Sequence, residues 1–290
     1  MNKNNQCPVC TKNSKYIFSK NWDGLNYNLY KCLNCGLGFI SPLPSKQELT
    51  KFYHAQYYQG GNKLGYNAPY ETLEQGLKKT YEGIIQKVQS LSGKKTFPLV
   101  LDVGCAYGYF LDCVKRCMNS SVRIGIDISD AAEKSITAKG HSFIKGGFEE
   151  AKIPNIAFDL IFMGDVFEHF LNPIAIMQRL DQYIKPGGIA VITTVDFSSL
   201  AAKILGKRWR LMTPPEHLFF WTPTSLKLLF QKHGWYGLTM PYTLYYPKEY
   251  VWTVFKKQFL FPPIFLKLFP FDTLPIPSYD VKLAIFWKVK

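Results

Sequence analysis

The chain has 290 residues and 47% apolar side chains, enough for one large α/β domain plus a small module with an ordinary globular core. Its formal net charge of +14 suits an anionic partner (nucleic acid, a phosphate-bearing substrate or a membrane surface), or else a solvated lysine-rich face. No run reaches the roughly 18–20 uninterrupted apolar residues of a spanning helix. Met1-Asn2-Lys3-Asn4-Asn5 leads into cysteines without an apolar signal segment, so a cytoplasmic protein is expected.

Cys7-Pro8-Val9-Cys10 and Cys32-Leu33-Asn34-Cys35 are two Cys-x-x-Cys knuckles separated by residues 11–31. Two thiolates on each tight turn can converge on one tetrahedral ion. Cys7, Cys10, Cys32 and Cys35 are therefore expected to hold a structural Zn2+ in a ribbon over residues 1–41, with strands at 16–18 and 29–31. Disulfides and a redox pair are the competing readings; the cytosol disfavours the first, and the pairing of two knuckles the second. Cys105, Cys113 and Cys117 read as buried thiols. Ser45 and Glu48 form a capping box for a short helix through 52–53. The turn-rich aromatic stretch 54–69 is a candidate substrate lid or a linker. Leu73, Leu77, Tyr81, Ile84, Ile85, Val88 and Leu91 then recur at helical spacing until Gly93, which completes a helical linker over 42–93.

The third part, 94–290, begins on Leu99-Val100-Leu101-Asp102-Val103, a buried strand running into the small-residue turn Gly104-Cys105-Ala106-Tyr107-Gly108 and then a helix. Such a junction brings backbone N–H groups and a positive dipole end to one point. Asp127 ends the next apolar run, where an acid is placed to hydrogen-bond a ribose diol. Asp102-Val103 ahead of Gly-x-Ala-x-Gly resembles motif I of the class I S-adenosylmethionine-dependent methyltransferases. Phe158 to Met163 reads as a fourth strand whose tip carries Asp165 and then Glu168-His169, again similar to that family, as is the Lys185-Pro186-Gly187-Gly188 turn into a fifth strand at 189–195.

The resemblance implies an α/β fold: a Rossmann-like seven-stranded sheet closed by an antiparallel hairpin at 235–246 and 281–289, with an N-terminal zinc ribbon. It implies that Asp102, Gly104, Cys105, Ala106 and Gly108 hold the methionyl end of S-adenosylmethionine. Asp127 and Ile128 would take the ribose side, and Asp165 the strand tip facing the cofactor. Gly147 stands where an acid often meets adenine, so adenine is left to backbone groups and to stacking by Phe148.

Pro215-Glu216-His217-Leu218 followed by Thr222-Pro223 resembles a segment of zinc-ribbon methyltransferases that act on sugars, including nucleotide-linked sugar C-methyltransferases. There the Glu-His pair belongs to the active site, and a tyrosine can precede it by two positions; here that position is Pro214. The expected reaction is methyl transfer to a hydroxyl of a sugar or glycan precursor, nucleotide- or lipid-linked. His217, or His169 across the cleft, is the expected general base, and Glu216 orients the imidazole. The alternatives are a ribosomal or transfer RNA methyltransferase, a sugar C-methyltransferase and a cofactor-binding protein without catalysis. The Asn/Asp-Pro-Pro-aromatic tetrapeptide of base amino methylation is missing, which counts against a DNA base. The segment 248–277 mixes aromatics, lysines and prolines. It reads either as peripheral contact with the inner face of a membrane or as an internal helical pair.

Overall fold

The computed structural model describes residues 6–22, 24–52, 70–118, 121–252 and 270–289. The proposed lid at 54–69 and most of the insert at 248–277 lie outside them.

In chain order the ribbon strands are β1 (Ser14–Trp22), β2 (Leu25–Cys32) and β3 (Gly38–Ser41). The helix α1 (Lys46–Phe52) follows, opened by the expected capping box: Glu48 Oε2 accepts from the Ser45 backbone at 2.7 Å, and Ser45 Oγ from the Glu48 backbone at 3.2 Å. The long helix α2 (Glu74–Ser92) ends at Gly93 in the left-handed region.

The main unit then alternates β4 (Leu99–Val103), α3 (Tyr109–Cys117), β5 (Val122–Asp127), α4 (Asp130–Ala138), β6 (Ser142–Lys145), β7 (Phe158–Gly164), α5 (Pro173–Tyr183) and β8 (Ile184–Val195). After α6 (Leu200–Leu205) come β9 (Phe219–Phe220), α7 (Pro223–Lys232), β10 (Trp235–Met240), β11 (Thr243–Pro247), β12 (Thr273–Pro277) and β13 (Val281–Lys288). Asn172 caps α5, accepting from the Ile174 and Ala175 N–H groups, and Thr222 caps α7 in a box closed by Ser225.

The central sheet has the order β10-β13-β8-β7-β4-β5-β6, with β4 to β8 parallel and β13 antiparallel to both its neighbours. This is the expected Rossmann-like methyltransferase fold. One face of the sheet is covered by α2 and α3 through Ile84, Ile85, Phe110 and Val114. The connection order reverses between β4 and β7, which leaves a crevice beyond their carboxyl ends.

Three local expectations change. The strand expected over 235–246 breaks at Pro241: β10 stays in the central sheet, while β11 leaves it to pair with β12. The 273–277 part of the insert is thus an edge strand rather than helix, and Pro275 and Pro277 are tolerated there because an edge needs no full ladder of donors. The fifth parallel strand starts at Ile184, with the Pro-Gly-Gly turn absorbed as a register shift against β7.

The ribbon is not hung on the sheet by its chain alone. β9 extends it to a four-stranded sheet, β1-β2-β3-β9, with Phe39 opposite Phe219. Thr222 Oγ1 donates to the Cys35 carbonyl at 3.0 Å, and Lys232 Nζ to the Val9 carbonyl at 2.7 Å. Leu37, Phe39 and Ile40 share one apolar cluster with Trp221, Phe230 and Ile192. The segment that carries Glu216 and His217 is therefore gripped between ribbon and sheet.

Candidate functional site

A cleft of about 270 Å³ opens beyond the tips of β4, β5 and β7. Its walls bring together Asp102, Gly104, Cys105, Ala106, Asp127, Ile128, Phe148, Asp165 and His169 from the sequence reading, but not Glu216 or His217.

At one end the turn after β4 is held from below. The Gly104 and Cys105 N–H groups both donate to the Ile126 carbonyl, at 2.8 and 3.1 Å, and the Ala106 N–H donates to Asp127 Oδ2 at 2.9 Å. These donors are committed within the fold, so the turn's contribution is shape rather than a row of free N–H groups. Gly104 and Gly108 sit at φ 71° and 76°, and a Cβ on Gly108 would stand 2.4 Å from Ile136. The Cys105 thiol points into the core, where a Cβ on Gly125 would meet it at 2.6 Å, so only its backbone is available to the cleft.

Asp127 Oδ1 accepts from the Ser129 N–H at 2.9 Å, which together with the Ala106 bond fixes the carboxylate. Asp102 is 2% exposed, and its carboxyl accepts no hydrogen bond from a described residue. Burial, and then the Asp127 charge, hold its pKa well above the usual carboxylate range. A buried acid facing a cleft without a donor is the complement of a ligand ammonium. The Phe148 ring is 1% exposed, with Arg179 over it at 5.5 Å, so it forms floor rather than a free stacking face. The exposed apolar side chain here is Ile128. Glu149, two residues after Gly147, also lines the cleft and accepts from the Asn172 N–H at 3.4 Å.

The opposite end is built from the 3-10 turn Phe167–His169 after β7, the end of β8 and the loop before β9. Asp165 has φ 52°, a left-handed conformation costly for a side chain with a Cβ. It is solvent-exposed where it lines the cleft. Thr193 Oγ1 donates to its Oδ1 at 2.9 Å. Desolvation by the protein packed around it raises the Asp165 pKa, against the pull of Thr193, His217 and Arg210. Glu168 is fully buried; its carboxylate accepts from Thr194 Oγ1 at 2.8 Å, and burial followed by the Asp165 charge lifts its pKa to about 8. Burial and the neighbouring His217 lower His169 to about 4, so it is neutral at pH 7, with the Glu216 and Asp165 backbone carbonyls beside its ring.

His217 stands edge-to-face against His169 at 4.9 Å. Its Nδ1 lies 2.7 Å from the Leu211 carbonyl, which assigns the proton to Nδ1 and leaves Nε2 as an acceptor. The ring is therefore oriented at that nitrogen by Leu211, not by the Glu216 carboxylate. The donor atoms of Glu168, His169 and His217 fall within 4.8 Å of one another, close enough to share a cation. A hydrogen bond to protein already accounts for Nδ1 of His217, and His169 has backbone carbonyls beside its ring.

Sequence reading missed Thr193, Arg210, Tyr242 and Tyr246 at this end. Tyr242 contacts Thr193, and burial pushes its phenol well up. Arg210 forks onto buried Asp280 at 3.0 and 2.7 Å, next to Tyr246. No motif joins these positions, since the end of β8, the stretch between α6 and β9, and the stretch around β11 meet only in three dimensions.

In the ribbon the four cysteine thiols lie within 4.8 Å of one another, with Cys7–Cys35 at 3.6 Å, Cys10–Cys32 at 3.4 Å and Cys10–Cys35 at 3.8 Å. A tetrahedral Zn2+ with bonds of about 2.3 Å has sulfur–sulfur edges of about 3.8 Å. The Asn34 and Cys35 N–H groups both point at Cys32 Sγ at 3.4 Å, so the knuckle supplies donors to a thiolate. The four side chains fit the ion.

Residues 77–239 match the methyltransferase domain family. Among curated relatives, the ubiquinone biosynthesis O-methyltransferase of Cereibacter sphaeroides is 26% identical over 172 residues, covering 53% of this chain and 67% of the relative. The malonyl-[acyl-carrier protein] O-methyltransferase of a Marinomonas species is 22% identical over 140 residues, 47% of this chain and 51% of that protein. Among solved structures, a possible histamine N-methyltransferase of Thermotoga maritima gives a TM-score of 0.50 at 15% identity, over 75% of this chain and 91% of that one. The plantazolicin methyltransferase BpumL, in complex with SAH and a pentazolic desmethylPZN analog, gives 0.50 at 18% identity, over 76% and 87%. At these identities the solved structures speak to fold alone. The matched region covers more than half of the chain and contains the turn, the strand tips and the cleft just described, and the protein accordingly belongs to the methyltransferase domain family as an S-adenosylmethionine-dependent enzyme.

Proposed function

We propose that the chain transfers the methyl group of S-adenosylmethionine to a hydroxyl of a small-molecule acceptor. The observation that carries this reading is one cleft with Asp102, a buried acid that accepts no hydrogen bond from a described residue, at one end, and Asp165 with His169, backed by His217, at the other. The bound cofactor supplies a methyl on a sulfonium, open to in-line attack by an oxygen nucleophile. Asp102 holds the amino group of the methionyl end. Asp127 accepts from the ribose hydroxyls, Ile128 covers the adenine, and the Gly104–Gly108 turn keeps the backbone close. Asp165 faces the sulfonium side and stabilises positive charge there. His217, with Nδ1 committed to Leu211, takes the acceptor's hydroxyl proton at Nε2, and His169 lines the approach. Positioning and exclusion of water supply most of the rate.

Two acceptor classes follow from different supports. The Glu216-His217 resemblance favours a sugar or glycan-precursor hydroxyl, nucleotide- or lipid-linked. The O-methyltransferase relatives and the tyrosines at the acceptor end favour an aromatic hydroxyl. The ribbon over 1–41, holding Zn2+ through Cys7, Cys10, Cys32 and Cys35, serves as structural support for the loop that carries His217. Residues 42–93 are the linker and 94–290 the methyltransferase core. No helix among the described residues is long and apolar enough to cross a membrane.

The test is transfer from methyl-labelled cofactor into nucleotide sugars, a catechol series and bulk RNA. Label in an alkali-stable ether of a sugar or phenol supports the reading and selects the class. Label in RNA alone, or none in any acceptor despite cofactor binding, overturns it.

A further inference from the structure

Helix α6 is turned inside out. Its small residue Ala202 is buried in the core, while Leu200, Ile204 and Leu205 stand 71%, 72% and 48% exposed. Leu200 and Ile204 are one helical turn apart, so they share a face. A solvated helix normally hides its large aliphatics, and a cluster of them presented outward marks an interaction surface. Lys203, Lys207 and Arg208 are exposed on the same short segment, and none makes an ion pair or hydrogen bond with a described residue. Tyr279, 59% exposed, adjoins Arg210 at the next step of the chain.

We infer that residues 200–208 dock on an anionic lipid bilayer. The aliphatic side chains enter the boundary between headgroups and acyl chains, and the three unpaired cations meet lipid phosphates. An apolar tip flanked by uncommitted cations matches that surface on both counts. A second copy of the chain fits poorly, because facing α6 segments would bring six like charges together. One exposed turn and its flank is also far short of the roughly 800 Å² per partner of a stable protein interface. The expected membrane contact at 248–277 falls largely outside the described residues, whereas this surface lies within them. Its position has a consequence for the acceptor. Trp209 and Arg210 follow residues 200–208 directly and are pinned by Asp280, at 3.0 Å from the indole Nε1, before the chain turns into the His217 loop. A docked α6 thus places the acceptor end of the cleft next to the bilayer.

The experiment is co-sedimentation of the full chain with vesicles of phosphatidylglycerol and phosphatidylcholine, and with phosphatidylcholine alone. Binding to the anionic vesicles is expected, falling about 100-fold when Lys203→Glu, Lys207→Glu and Arg208→Glu are combined. The pair Leu200→Asp and Ile204→Asp should abolish it, with circular dichroism melts showing that both variants remain folded. Failure of the wild type to bind anionic vesicles overturns the inference, as does binding unchanged in either folded variant or insensitive to high salt. It is equally overturned if light scattering finds a wild-type dimer that the aliphatic pair of substitutions dissociates.

Discussion

The two ends of the cleft are made in different ways. The donor end comes from two successive strand-to-helix junctions, after β4 and β5, whose groups lie within about one βαβ unit of sequence and brace each other through Ala106, Ile126 and Asp127. The acceptor end is assembled from the β7 tip, the end of β8, the 211–218 loop and the segment after β10, tied by side-chain contacts among Thr193, Asp165, His169 and His217. On the proposed reading, the common cofactor is met by a locally encoded device and a particular acceptor by residues that only the tertiary fold collects. The donor end should therefore tolerate changes at the acceptor end, while the reverse should fail.

The sharpest break in that comparison is His217→Ala. Loss of a general base should cost about 10²–10⁴ in turnover while cofactor affinity stays within about twofold. Single-turnover rates and calorimetric titration read the two quantities separately, and a near-normal rate would remove His217 as the base. Next comes the ribbon. Because β3 pairs with β9 and Thr222 holds the Cys35 carbonyl, chelation of zinc should lower the melting temperature and turnover before it lowers cofactor affinity. One zinc per chain by atomic absorption is expected. Zinc-free protein with full activity would separate ribbon from site.

The smallest effect concerns protons. Glu168, with a pKa of about 8 in the fold against an ordinary 4.5, binds its proton more tightly folded than unfolded. The stability this gives is complete below about pH 4.5 and is lost as pH rises through 8. Glu168→Gln keeps an acceptor for Thr194 and removes that loss. The variant should melt about 5 °C above the wild type at pH 9 and level with it at pH 5. His169 has the opposite sign: its lowered pKa of about 4 makes the unfolded chain the better proton acceptor, so stability falls as pH drops from about 6.5 through 4.

What could be read from the sequence follows the same division. Caps at Ser45, Asn172 and Thr222, the Asp102 to Gly108 turn, Asp127 and the cysteine knuckles are local signals, and the structure has each element in place. The β9 strand was invisible because two residues, Phe219 and Phe220, carry no period; their strand state comes from pairing with β3. The sequence of 235–246 puts Tyr242 inside a strand, since nothing there but Pro241 signals the departure of β11. Leu211 could not be singled out as the group that holds His217, since it acts through its backbone carbonyl. Orientation by backbone leaves no trace in side-chain identity.

The account rests on a nucleoside-sulfonium donor seated between Asp102 and Asp127, and calorimetric titration of the full chain with S-adenosylmethionine tests it most directly. One site per chain is predicted, weakened about 10–100-fold by Asp127→Ala, which removes charged hydrogen bonds of about 1.5–3 kcal/mol. Absence of binding by the wild type, or equal binding by the Asp127→Ala variant, would contradict it.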